Sequence, residues 1–163
     1  MRPTVTAAVC ALAFAAPANA APQHPSSAAV PISAVARPAR PAAAVVDAFH
    51  HALQRGDIKT ALGLLSNDAL IFEAGGVERG RAEYASHHLA ADAAFSQAVP
   101  SRITRRAGEA VGNVAWIASE GRTTGTYKGK SVDQRTVETM VLRRTAAGWK
   151  IAHIHWSSAA VGK

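Results

Sequence analysis

From Ala42 onward the apolar positions follow a helical spacing and then change to an alternating one. Val45, Val46, Phe49, Ala52 and Leu53 fall on one stripe of a helix that Gly56 stops. Asp57 has the position and chemistry of an N-cap for a second, short helix carrying Ile58, Ala61, Leu62 and Leu65. Ser66-Asn67-Asp68 reads as a turn and Ala69 to Glu73 as a strand that Gly75-Gly76 breaks. A third helix is expected from about Arg81 to Ala98, closed by Pro100. Beyond it come four long strands, Ser101 to Val111, Val114 to Thr126, Val132 to Thr145 and Trp149 to Ser158. Gly112-Asn113, the YKGKS stretch from Tyr127 to Ser131, and Ala146-Ala147-Gly148 are the turns between them. About three helices followed by a run of antiparallel strands predicts an α+β domain, its helices packed on one face of a curved sheet.

The first 41 residues show neither period. Arg2, the apolar run Val5 to Ala16 and the small-x-small ending Pro17-Ala18-Asn19-Ala20 form a secretory signal pattern, with cleavage expected after Ala20. The apolar run is too short for a stable membrane span, so no anchor is expected. Residues 21–41, with Pro22, Pro25, Pro31, Pro38 and Pro41, read as an Ala/Pro-rich linker. Residues 159–163 read as a tail, which leaves 42–158 as the domain of an exported, periplasmic or secreted protein. Cys10, the single cysteine, lies in the signal pattern. A processed chain would therefore have no disulfide, zinc-thiolate site or cysteine nucleophile. The net charge of +7 includes Arg2, Arg37 and Arg40, whereas all 11 acids lie beyond residue 46. The domain is thus only mildly basic, and no nucleic-acid partner is expected.

The last two strands carry a resemblance. Val137-Glu138-Thr139-Met140-Val141-Leu142-Arg143-Arg144, followed by Gly148-Trp149-Lys150-Ile151-Ala152-His153-Ile154-His155-Trp156-Ser157-Ser158, resembles the final hairpin of SnoaL-like domains of the nuclear transport factor 2-like superfamily. It is similar, too, to the association domain of calcium/calmodulin-dependent protein kinase II. The opening helix with Gly56-Asp57 and a short Leu-rich helix fits the same pattern. The resemblance implies a cystatin-like cone, in which a curved mixed sheet wraps a long helix and leaves a cavity at its open end. It also implies homodimerisation through the sheet. Members of the superfamily include isomerases, dehydratases, cyclases and oligomerisation modules, so the fold does not decide the activity.

Candidate chemistry lies on the third helix and the last two strands. Tyr84, His88, Asp92 and Phe95 share a helical stripe, with His88 and Asp92 at i and i+4, where side chains touch. A carboxylate beside an imidazole suits general acid–base work, and it equally suits one structural hydrogen bond. On the last strand Trp149, Ile151, His153, His155 and Ser157 share a face, expected to be inward, while Trp156 falls on the outer one. Met140 and Leu142 suggest an inward Glu138, with either a raised pKa or an Arg partner. Glu73, at the end of the first strand, is placed either at the mouth of the cavity or on the surface.

The resulting expectation is a pocket that binds a small organic ligand, or transforms it by cofactor-free isomerase-, dehydratase- or cyclase-like proton transfer. In it His88 is general base, Asp92 orients it, and Tyr84 or His155 supports a developing oxyanion. Phe95, Glu138, Met140, His153 and Trp149 contact the ligand. A divalent metal held by His88, Asp92, His153 and His155 is one alternative. A non-catalytic dimerisation or interaction domain is the other.

Overall fold

The computed structural model describes residues 33–162, so the signal pattern, its cleavage site and most of the linker lie outside the described residues. Strand β1, Ser33–Val35, and a 3-10 turn, Arg37–Ala39, precede helix α1, Arg40–Arg55. The expected linker therefore ends earlier than residue 41. Pro38 sits inside the 3-10 turn and Pro41 in the first turn of α1, where a missing N–H costs nothing. Helix α1 ends at Gly56, whose φ of 68° is the left-handed value that favours glycine. Helix α2, Ile58–Leu64, is capped by Asp57, whose Oδ1 accepts from the Thr60 N–H at 3.0 Å.

Strands β2, Leu65–Glu73, and β3, Gly76–Arg79, form a hairpin, so the chain past Gly75 returns as a further short strand. The third predicted helix is two, α3, Arg81–His87, and α4, Leu89–Ala98. The backbone departs from helical values at His88 (φ −114°), although Tyr84 O still accepts from His88 N–H and His88 O from Asp92 N–H. Strands β4, Ser101–Val111, β5, Val114–Tyr127, β6, Lys130–Thr145, and β7, Gly148–Ala160, complete the chain.

Among the described residues seven strands form one mixed sheet in the order β1-β4-β5-β6-β7-β2-β3, and with the helices they make the expected α+β, cystatin-like fold. Register turns this sheet into rows. Tight turns pair β4 with β5, β5 with β6 and β6 with β7, and so fix which side chains stand side by side on the inner face. One row is apolar: Ile71, Ile154, Met140 and Ile117, ending at Gly108. A Cβ at Gly108 would meet the Ile117 side chain at 2.6 Å, so this row is filled from the neighbouring strand. Val46, Phe49, Ala52 and Leu53 of α1 pack on that end of the sheet, and the core sits there. Burying such aliphatic and aromatic side chains contributes about 1.5–3 kcal/mol each.

The next row along the strands is polar. Glu73 pairs with Trp156, Trp156 with Glu138, Glu138 with Ser119 and Ser119 with Arg106, across five strands. The core stops where this row begins.

Candidate functional site

A cavity of about 430 Å³ opens over the polar row. That volume falls in the range of small-molecule sites. Its floor is Glu73, Trp156, Glu138, Ser119 and Arg106. Thr136, Gly121 and Ile103 continue the floor toward the open end. Helix α1 supplies one wall with Asp47, His50, His51 and Gln54, and α4 the other with Asp92, Phe95 and Ser96. The α1 residues recur at spacings of three and four, a polar stripe adjoining the buried one.

Glu138 is the most enclosed acid of the site, its side chain 8 % exposed. Its Oε2 accepts from the Trp156 indole N–H at 2.7 Å and lies 2.8 Å from His50 Nε2. The His50 approach is close enough to pair charges but is not aligned as a good hydrogen bond. Oε1 is buried and takes no hydrogen bond from the protein. Burial pushes the Glu138 pKa up, but His50, the Trp156 N–H and the more distant Arg106 outweigh it, and the net direction is down. The apolar setting that predicted a raised value is thus overruled by these partners. Arg106 itself is engaged: its Nε–H donates to Ser119 Oγ at 3.1 Å and its Nη1 reaches Asp47 Oδ1 at 2.5 Å.

The helix wall has the opposite balance. Tyr84 is fully buried behind the cavity, and its O–H donates to Asp92 Oδ2 at 2.7 Å. Burial raises the Asp92 pKa more than the Tyr84 hydrogen bond and the charge of His88 lower it. Glu73 is raised by burial and then by the charge of Asp92. The Tyr84 hydroxyl is likewise driven up, by burial first and then by Asp92.

Several sequence expectations are corrected. His88 does not touch Asp92; its Nδ1 contacts the buried Glu78, which His87 also approaches at 3.3 Å, and its side chain is 58 % exposed. The break between α3 and α4 is what turns it away from the Tyr84–Asp92 pair. His153 and His155 lie on the outer face of the sheet, where His153 Nδ1 meets Leu70 O at 2.8 Å and both rings pack edge-on against Phe72. The cause is a β-bulge: β7 slips by one residue between Ile151 and His153, so Glu138 stands opposite Trp156 and not His155. Trp156 consequently faces inward, stacked on Phe49 at 6.4 Å, and not outward as expected. Met140 is wholly buried in the apolar row, and Trp149 packs on the core near the β6–β7 turn, so neither lines the cavity.

His88, Asp92, His153 and His155 therefore do not form one donor set. Among the described residues the side chains gathered closely enough to share a metal are Glu78, Glu83 and His87. Tyr84, Asp92, Phe95, Glu138 and Glu73 are brought to the cavity or its immediate wall. The sequence reading missed His50, Asp47 and Arg106. The signal for the first two was the polar i, i+3 and i+7 stripe of Asp47, His50 and Gln54 beside the apolar one.

Comparison with known proteins agrees with this architecture. A family model described as SnoaL-like domain matches residues 42–161. A candidate ketosteroid isomerase from Shewanella frigidimarina is 41 % identical, with a TM-score of 0.68, the match covering 70 % of this chain and 92 % of that one. A candidate dehydratase of the nuclear transport factor 2-like family from Streptomyces avermitilis is 22 % identical (TM-score 0.65; 75 % and 96 % covered). The calcium/calmodulin-dependent protein kinase II hub of S. rosetta is also 22 % identical (TM-score 0.63; 76 % and 98 % covered). These last two share the fold. No protein of curated function matches the chain.

Proposed function

We propose that this chain, which belongs to the SnoaL-like domain family, binds a small organic ligand in the cavity and moves a proton on it without a cofactor. The observation that carries the reading is the different company of two carboxylates in one cavity. Glu138 sits against His50 and the Trp156 indole N–H, and Asp92 against the neutral Tyr84 hydroxyl, with the Glu138 pKa pushed down and the Asp92 pKa up accordingly. Divergent environments of this kind separate acid and base roles. His50, held beside the Glu138 anion, takes a proton from a carbon next to a ligand carbonyl. Asp92, oriented by Tyr84, holds a proton to higher pH than an ordinary carboxylate and delivers it to the opposite side of the ligand. Phe95 and Trp156 offer apolar surface to the ligand body. The naming of the 41 %-identical relative as a candidate ketosteroid isomerase supports this class of chemistry. The sequence pattern adds an exported compartment, for which the N-terminus of the processed protein would read Ala21.

The test is solvent-deuterium incorporation, followed by NMR, into ketones that measurably bind. The expected result is incorporation above the buffer rate that Asp92→Asn and His50→Gln each lower by about 100-fold. Incorporation at the buffer rate with a bound ketone would remove the catalytic reading.

A second reading concerns assembly. On the outer sheet face Val137 is 53 % and Trp116 39 % exposed, and Trp116 pairs with Val141. Apolar surface of that kind fits homodimerisation through the sheet. A mass that rises with concentration, and falls to that of a monomer in Val137→Glu, is the expected outcome. A monomer at all concentrations would exclude it.

A further inference from the structure

We propose that the ligand of this cavity carries a positively charged, hydrogen-bond-donating head, an organic ammonium, seated on Glu138. The inference deepens the pocket reading and rests on it. The free oxygen of Glu138 comes first. A carboxylate so enclosed has strong demand for donors on both oxygens, and the protein supplies them on Oε2 alone. Such an atom is matched by an N–H or O–H of the ligand and repelled by a ligand carboxylate.

Charge then selects the ammonium. The cavity has four acids, Asp47, Glu73, Asp92 and Glu138, and one guanidinium, that of Arg106. Arg106 is spent on Asp47 and Ser119, which leaves no permanent cation of the wall free for an anionic ligand. A mildly basic domain thus has an acidic hollow. Glu73 shares the floor with Glu138, on the far side of Trp156, and adds a second carboxylate there. A cation seated on Glu138 pairs with it and lies in the field of Glu73 as well. The aromatic rings of Trp156 and Phe95 then border the carbon skeleton.

A matched series separates the charge of the head from the shape of the body. 4′-Aminomethyl-, 4′-hydroxymethyl- and 4′-carboxyacetophenone have nearly the same outline and all possess exchangeable methyl protons. Binding to the full chain would be measured by calorimetry, and deuterium incorporation would be read in the same samples. The expected order is amine, then alcohol, then acid, with the amine at least about tenfold tighter than the acid. Glu138→Gln should reduce that preference to about threefold or less. Because Glu138→Gln can perturb packing, Glu73→Gln at the mouth is run beside it and should lower the preference by a smaller factor. Binding of the acid as tight as the amine, or a preference untouched by both variants, overturns the proposal. An amine preference without deuterium incorporation keeps the ligand class and removes the proton-transfer reading; incorporation without the preference does the reverse.

Discussion

The sheet floor and the α4 wall of the cavity each hold a carboxylate, and the protein treats the two in opposite ways. Glu138 is the more deeply enclosed, yet His50 and the Trp156 N–H keep it charged. Asp92 is less enclosed but has a neutral Tyr84 hydroxyl as its nearest partner and Glu73 and Glu78 as like-charged neighbours, so burial prevails. The difference teaches that in this pocket the identity of the partner, more than depth, sets the state of an acid.

The strongest way to break the comparison is Glu138→Ala. It leaves His50 and the indole N–H facing an empty floor, and a loss of about 3 kcal/mol is expected in urea unfolding at neutral pH. A loss below about 1 kcal/mol would mean that the floor is as loosely held as the helix wall.

Asp92→Asn is expected to do the reverse, leaving stability within about 1 kcal/mol of wild type or raising it, because an ionised group that burial disfavours is gone. The pH profiles sharpen this. The folded pKa of Asp92 lies above its ordinary 3.8, so its contribution is full below that value and declines as pH rises through the folded pKa. The folded pKa of Glu138 lies below its ordinary 4.5, so its contribution is present above that value and is lost as pH falls through the folded pKa. Urea midpoints between pH 3 and 7 should therefore lose part of their decline at rising pH in Asp92→Asn and part of their fall at acid pH in Glu138→Gln.

Trp156→Phe keeps the stacking on Phe49 but removes one donor from Glu138. About 1 kcal/mol of destabilisation is expected, with the Glu138 titration moved upward, as followed by carboxyl NMR. The smallest effect belongs to the paired substitution His153→Ala with His155→Ala. Both rings are on the far side of the sheet, so ligand affinity should stay within about twofold of wild type and stability within about 1 kcal/mol. A large loss of affinity would return them to the site.

What was legible in the sequence follows from which features are local. The helical stripe of α1, its Gly56 stop, the Asp57 cap and the turns between the long strands are encoded by neighbours in sequence, and they appear where expected. The α3–α4 break and the β7 bulge are announced by no Gly or Pro, and one residue of slip was enough to exchange His155 for Trp156 opposite Glu138. A hint was present: Ile151 and Ile154 both want the core but stand three apart, a spacing that an unbroken strand does not allow. The inward Glu138 was readable from Met140 and Leu142. Its partner His50 was not, because it comes from a helix some ninety residues earlier and only the closed fold brings the two together.

The three residues of β1 have a consequence for solubility. Ser33–Val35 pairs with Arg106–Gly108, so among the described residues the sheet finishes on a three-residue strand at one side and on the four-residue β3 at the other. Short, irregular margins give a second chain little backbone to zip onto. A protein trimmed to residue 42, where the family similarity begins, would lose this margin together with buried Ala39, and would open Arg106–Gly108 of β4 to intermolecular pairing. Ser33–Val35, ahead of the family boundary, thus shield part of the β4 edge from a second chain.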